Sequence, residues 1–370
     1  MISHLTVDVR VSEVRLKLRE FVQAVAPCRS IDLTIQHHHD QVVVLADLLP
    51  LAASLRGLTC KGNCEWRQVL GSLRGASALS SMSLLTSLNL KNENLTSEEP
   101  WGLLASLTSL QQLTLKVAAC GDPSPLSALT GLSSLHLKSI WGAGNRNAFS
   151  FSSLHPLSTL QQLEVLHLGG QACAATSLQG LAGLSNLKEL SLKSADLRRK
   201  HWDGYREAAI PVEDAFGLVS LAGIEGCSSL ESLSLTDGPI PSLQPLRGLS
   251  NLKGLNLVCA KMTSLEGLDM RSLRSLHLEN CPSLIQLSGL EHFSTLEYLE
   301  MMICHGVTSF QPLSQLGEGL KTLSVFACVG MQEKVLELPH VSLSADLDFN
   351  ICKINEVVLA GGVRRAVKKR

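Results

Sequence analysis

Aromatic residues make up only 4% of this 370-residue chain, so its core must be built from aliphatic side chains. Neither sign of charge is in excess. A formal net charge of −1 argues against a bulk binder of nucleic acid or of membrane surfaces. No run of eighteen apolar residues suggests a membrane span. The opening stretch, MISHLTVDVRVSEVRLKLREF, lacks an apolar h-region and carries Asp8, Glu13 and Glu20, which argues against a secretory signal. It also begins as a repeat strand with no polar cap before it, so a partner or a longer chain is expected at that end. The eleven scattered cysteines then read as reduced thiols in a cytosolic or nuclear compartment.

Catalytic constellations are missing too. There is no G-x-x-x-x-G-K-[ST] and no H-E-x-x-H. His37, His38 and His39 form a compact triplet without the spaced partners of a closed zinc site, and Cys60 and Cys64 have no second pair. The expectation is a protein that is not an enzyme, with no cofactor and no metal.

What the chain does have is leucine at fixed spacing. The template L-x-x-L-x-L begins at Leu55, Leu85, Leu110, Leu132, Leu163, Leu187, Leu230, Leu252, Leu273, Leu296 and Leu320, with weaker copies at Ile2, Cys28, Leu338 and Ile354. The last strong steps, from Leu252 to Leu273, Leu296 and Leu320, are 21, 23 and 24 residues. The L-x-L core alternates with period two, which is a strand, and not with the 3.6 period of an amphipathic helix. Each L-x-L should point two leucines inward and the residue between them outward. Stacked strands would form the concave wall of a right-handed α/β solenoid, a horseshoe with a parallel sheet inside and return segments outside. Residues 12–25 and 97–107 are expected to return as helices, the first with Val14, Leu18, Phe21, Val22 and Val25 on one face. The later, shorter returns leave room only for turns or 3₁₀ segments.

These residues resemble the leucine-rich repeat family over nearly the whole chain. PSLQPLRGLSNLKGLNL (241–257) resembles the short intracellular type found in phosphatase-regulatory and ciliary repeat proteins. The repeats bearing Cys281, Cys304 and Cys328 resemble the cysteine-containing type of F-box proteins, though no F-box-like helical module is visible. The resemblance implies Asn or Cys nine places into the template. Asn63 and the three cysteines fit; Glu93, Ala118, Ile140, Gln171, Ala195, Gly238 and Ala260 depart from it. Because Cys281, Cys304 and Cys328 recur at one repeat position, they are expected to be buried small residues packed in a column.

Two steps are too long: Leu132 to Leu163 is 31 residues and Leu187 to Leu230 is 43. The extra pieces are WGAGNRNAFSF (141–151) and DLRRKHWDGYREAAIPVEDAF (196–216), both leaving the same rim directly after a strand. Insertions on one face of a solenoid often mark a binding face. Trp202, Tyr205 and Arg206 have the composition of an interface hot spot, and Trp141 opens the first insertion. The competing reading is a tolerated surface insertion folded back on the edge. The organisation expected is degenerate repeats with helical returns over 1–54, regular repeats over 55–196, an insertion over 197–222, regular repeats over 223–346, and a degenerate last repeat with a basic tail over 347–370.

With the frame set, outward positions can be read. The residue after L-x-L is Lys61, Lys91, Lys116 and Lys138 in four consecutive repeats, then Gly169, then Lys193. Beyond the large insertion it becomes Thr236, Val258, Glu279, Met302 and Phe326. The residue inside L-x-L is His136 and His167 in adjacent repeats, and His277 later. The column reads either as a solvated sheet face or as a surface for something acidic: a Glu/Asp-rich peptide, a phosphorylated segment or a tubulin-like tail. Nucleic acid and membrane are not expected partners. The resulting expectation is a monomeric, cytoplasmic interaction scaffold, with a cytoskeletal or ciliary axonemal adaptor fitting the acidic-ligand bias. Two other readings stay open: a regulatory subunit or substrate receptor of phosphatase or ubiquitin-ligase type, and a fragment of an immune-type sensor.

Overall fold

The structure is a computed structural model. It describes residues 5–11, 22–25, 28–37, 45–61, 81–92, 100–117, 122–139, 151–170, 175–193, 218–236, 238–258, 260–266, 268, 270–330, 334–342, 345–350 and 354–366. The chain divides into two compact units: Met1–Ala174 with Ala195–Gly204, and Ala175–Ser194 with Tyr205–Arg370.

The first unit stacks seven strands in chain order: β1 (Leu5–Val11), β2 (Ile31–His37), β3 (Leu55–Lys61), β4 (Ser87–Asn92), β5 (Gln112–Val117), β6 (Ser134–Ser139) and β7 (Val165–Gly169). Every pairing is parallel. The second unit stacks β8 (Glu189–Lys193), β9 (Ser232–Thr236), β10 (Gly254–Val258), β11 (Ser275–Glu279), β12 (Tyr298–Met302), β13 (Thr322–Phe326) and β15 (Asp346–Asn350), also all parallel.

Period two sets the inside and outside of each strand. In β6, Leu135 and Leu137 are buried, His136 is half-buried and Lys138 is exposed. The register places leucine over leucine: Leu113, Leu135 and Leu166 form one inward row, and Leu115, Leu137 and Leu168 the next. One repeat cannot bury such a row alone, and its neighbours do so. A second ladder runs beside the strands. The Thr86 N–H donates to Arg56 O at 2.7 Å, Gln111 to Thr86 at 2.8 Å, Ser133 to Gln111 at 2.8 Å and Glu164 to Ser133 at 2.8 Å. The second unit repeats it, with Glu231 N–H donating to Lys188 O at 2.8 Å across the 43-residue step. The long steps therefore leave the register intact.

Among the described residues the returns are mostly 3₁₀. Helical returns were expected early and 3₁₀ segments late, but the 3₁₀ form appears already at Leu45–Leu51, Ser124–Ala128 and His155–Thr159. Residues 22–25 are helical with Val22 and Val25 buried, and Pro100–Ala105 is a short α-helix burying Trp101 and Leu104. The reason is local sequence. Pro125, Pro156, Pro245 and Pro312 each occupy the first turn of a 3₁₀ segment and are followed by an inward leucine, namely Leu126, Leu157, Leu246 and Leu313. Proline is pre-set for a first turn, and a tight i→i+3 turn spans the short return.

The chain ends bring corrections. By register, Leu33 and Ile35 pair with Leu58 and Cys60, so the inward pair of β2 lies two residues later than the copy begun at Cys28. A register shift at Ile31/Asp32 absorbs the difference. The same offset carries to β1, where Val7 pairs with Leu33. At the other end Leu347 and Phe349 pair with Leu323 and Val325, so the copy begun at Leu338 is misplaced. Leu338 belongs instead to β14 (Val335–Leu338), which pairs with β16 (Glu356–Leu359) and, through it, β17 (Arg364–Ala366) in a separate three-stranded sheet. The copy at Ile354 is thus a strand of that second sheet. Alternating apolar residues specify a strand, and the pairing partner decides which sheet it joins.

Candidate functional site

In the first unit the outward residues form rows across β4 to β7. Lys91, Lys116 and Lys138 are in register, and Gly169 follows. Lys116 and Lys138 are exposed, and neither enters an ion pair among the described residues. Gly169 does not leave a simple gap. A Cβ there would lie 3.5 Å from Lys138 Cγ, so the Lys138 stem covers the strand where a side chain is missing. In the neighbouring row Thr114, His136 and His167 are in register, and the two imidazoles meet edge-on with centroids 4.2 Å apart. The structure therefore brings together Lys116, Lys138, His136 and His167, with the Lys91 backbone in the same row. Lys61 ends β3, one residue past Cys60, which pairs with Leu90. Lys193 is exposed on β8 of the second unit and pairs with Thr236, not with a lysine. Trp141, Trp202, Tyr205 and Arg206 lie outside the described residues.

The second unit presents a different face. Lys253 pairs with Glu231 at 2.7 Å, while Glu297 receives both Lys321 at 2.5 Å and Arg274 at 3.3 Å. The hydrogen bond from Lys321 holds the Glu297 carboxyl below the usual carboxylate range, and Lys253 does the same to Glu231. His277 Nδ1 lies 2.8 Å from Glu300, and its Nε2 lies 3.6 Å from Glu279. Met302 and Phe326 are in register and half-buried, and Tyr298 is 45% exposed with Lys321 Nζ 5.8 Å from its ring centre. Of this face, Glu279, Met302 and Phe326 were legible from the template. Tyr298, Glu300, Asp346 and Asp348 were missed, although the residues before and inside L-x-L carry the same outward signal.

No family model matches the sequence, and no curated protein matches it. Solved structures do match. An internalin (inlF) from Listeria monocytogenes is 16% identical over 95% of this chain and 82% of its own, with a TM-score of 0.51. A leucine-rich repeat protein of Leptospira interrogans is 16% identical over 94% of this chain and 90% of its own, with a TM-score of 0.55. The functional domain of InlJ from Listeria monocytogenes, which includes a cysteine ladder, is 14% identical over 95% of this chain and 64% of its own, with a TM-score of 0.52.

The fold is the leucine-rich repeat.

Within this leucine-rich repeat the three cysteines play an interior part. Cys281, Cys304 and Cys328 are fully buried. Each thiol faces a carbonyl of its own repeat and one of the repeat before: Cys304 Sγ is 3.4 Å from Met302 O and 3.6 Å from Leu278 O. Cys281 and Cys328 repeat the arrangement with Glu279 and Leu257, and with Phe326 and Met301. The Cys304 thiol is pushed up to about 12, first by its hydrogen bond with Cys281 and then by burial. Cys328 is raised by its bond to Cys304 and by burial. The raised Cys304 and Cys328 thiols stay protonated, and all three cysteines serve as buried packing groups. They fill the column assigned to them from sequence, and Ala260, at the same position, is buried without a polar group.

The turn that delivers each cysteine carries strain. The preceding residue has positive φ in three consecutive repeats: Asn280 (50°), Ile303 (56°) and Ala327 (53°). For a β-branched residue such as Ile303 this is an outlier. The turns are held from the next repeat, with Asn280 N–H donating to Met302 O at 2.8 Å and Ile303 N–H to Phe326 O at 2.9 Å. In the first unit the equivalent residue is Gly170, φ 71°, where a Cβ would come 2.2 Å from Ser139 O.

Among the described residues no group of three or more His, Cys, Asp or Glu could hold a metal, and no helix is long and apolar enough to cross a membrane.

Proposed function

We propose that this leucine-rich repeat chain is a non-enzymatic scaffold that binds protein segments along the outward face of its sheet. The lysine rows of the first unit take an acidic or phosphorylated segment. One observation carries the reading: Lys116 and Lys138 stand in register, exposed and without a carboxylate partner among the described residues. Strands about 4.8 Å apart hold such side chains close. Their mutual repulsion is about 0.5–1 kcal/mol per pair in water, a cost that a bound anion relieves. The His136–His167 pair extends the same patch, and the Lys91 backbone is in register with Lys116. Because each strand is fixed by its neighbours, the patch is preformed and little ordering is needed on binding. Trp141, Trp202, Tyr205 and Arg206 are assigned to the specificity of this contact.

The test is titration of a phosphoserine/Glu-rich peptide into the full chain. Lys116→Glu with Lys138→Glu should weaken binding at least about fivefold, with a steeper loss at high salt in the wild type. Equal affinity of wild type and variant would sink the reading. Deletion of 197–216 should weaken the same peptide without moving the urea midpoint.

A further inference from the structure

We propose that β11–β13 and β15 of the second unit form a further docking surface of opposite polarity, for an extended cationic segment with a large apolar side chain between its Lys or Arg residues. The inference rests on the reading that the sheet face binds protein segments. The outward rows carry it. Before the inward pair they read Ser275, Tyr298, Thr322 and Asp346; between the pair, His277, Glu300, Ser324 and Asp348; after it, Glu279, Met302 and Phe326. Four carboxylates thus surround three apolar side chains, and His277 is the one group in these rows that can become a cation. Asp346 and Asp348 are exposed and have no side-chain partner among the described residues.

Met302 lies beside Phe326 in register, both half-buried, and Tyr298, 45% exposed, stands at the other end of β12 with Glu300 between it and Met302. The adjacent methionine and aromatic ring have the composition of a small interface centre, and Tyr298 offers a second aromatic contact beyond Glu300. The Tyr298 ring already faces a cation, Lys321 Nζ at 5.8 Å, so this surface tolerates ammonium against its aromatics. Lys321 itself is held aside by Glu297 at 2.5 Å. A metal ion does not fit the carboxylates. Glu300 and Asp348 are two strands apart, roughly 10 Å, whereas a shared ion needs oxygens at about 2.3–2.6 Å. Phosphate backbones are repelled by the same four groups. What remains complementary is a basic peptide with one apolar anchor.

The probe is a fluorescein-labelled peptide, Gly-Lys-Arg-Gly-Phe-Gly-Arg-Lys-Gly, titrated into the full chain by anisotropy. The acidic peptide of the preceding test is titrated into the same samples. Saturable binding is expected, weakened about four- to twenty-fivefold by Glu300→Gln with Asp348→Asn, at about two- to fivefold per carboxylate. Lys116→Glu with Lys138→Glu should leave it unchanged. Replacing the Phe of the peptide by Ser should weaken it further than either single carboxylate change, and single-stranded RNA should not compete. Circular dichroism and an unchanged urea midpoint certify that each variant is folded. No binding, or equal binding to the Glu300→Gln/Asp348→Asn protein, overturns the proposal. So does indifference to the Phe, or competition by RNA. If the acidic peptide binds and the basic one does not, this inference fails alone; if neither binds, the scaffold reading fails with it.

Discussion

Each unit has the same kind of interior, and the two differ on their faces. Leu137 and Leu278 occupy the same inward position and are equally buried, and the strand registers around them are the same. Outside, Lys116 and Lys138 have no carboxylate partner among the described residues, whereas Lys253, Lys321 and Arg274 are each tied to a glutamate one repeat away. A carboxylate in the next repeat neutralises a cation in place; a lysine or a glycine there does not. The lesson is that in a repeat fold the interior is set by what recurs, and surface chemistry by what changes from one repeat to the next.

That comparison can be broken first through the interior. Leu137→Ala and Leu278→Ala should each cost about 2–5 kcal/mol in urea unfolding, since both delete packed side chains between layers. If one is nearly silent, the interiors of the two units are not equivalent. The turns give a second, smaller contrast. Gly170→Ala should lose at least about 1–2 kcal/mol, because Ala is strained at positive φ and its Cβ meets Ser139 O. At the equivalent turn of the second unit Ile303→Gly should gain about 0.5–1 kcal/mol, as relief of strain exceeds the entropic cost of glycine. A loss at Ile303→Gly would mean that its side-chain contacts outweigh the strain.

The smallest effect is electrostatic. The Glu297 carboxyl is held below its unfolded value by Lys321, so its stabilisation is present at neutral pH and is lost as pH falls through that lowered value. Glu297→Gln should therefore lower the urea midpoint slightly at pH 7. Wild type and variant should converge below the ordinary carboxylate range. Midpoints that stay apart at the lowest pH would show that Glu297 acts by packing and not by charge. The effect stays small because the pair is exposed and screened.

Much of this was legible from the chain. The spacing of Leu132, Leu135 and Leu137 specifies an inward pair, and the same spacing at Leu163 puts His167 beside His136 across a 31-residue step. The weak ends were misread, because Leu338 and Val341 match the template while Leu347 and Phe349 make the pairing. A sparse apolar pattern does not say which strand it will meet. Nor does Ile303 carry any local sign of positive φ, since the conformation is imposed by the hydrogen bond to Phe326 O from the following repeat.

By itself the sequence determined the repeat, its inward leucines, the buried cysteine column and the outward lysines, because these follow from period-two geometry within one repeat. Tertiary structure decided the rest: the pairing of Glu297 with Lys321, the stem of Lys138 over Gly169, the second sheet of β14, β16 and β17, and the carboxylates gathered around Met302 and Phe326. Each depends on how a side chain or strand meets another repeat, which no single repeat encodes.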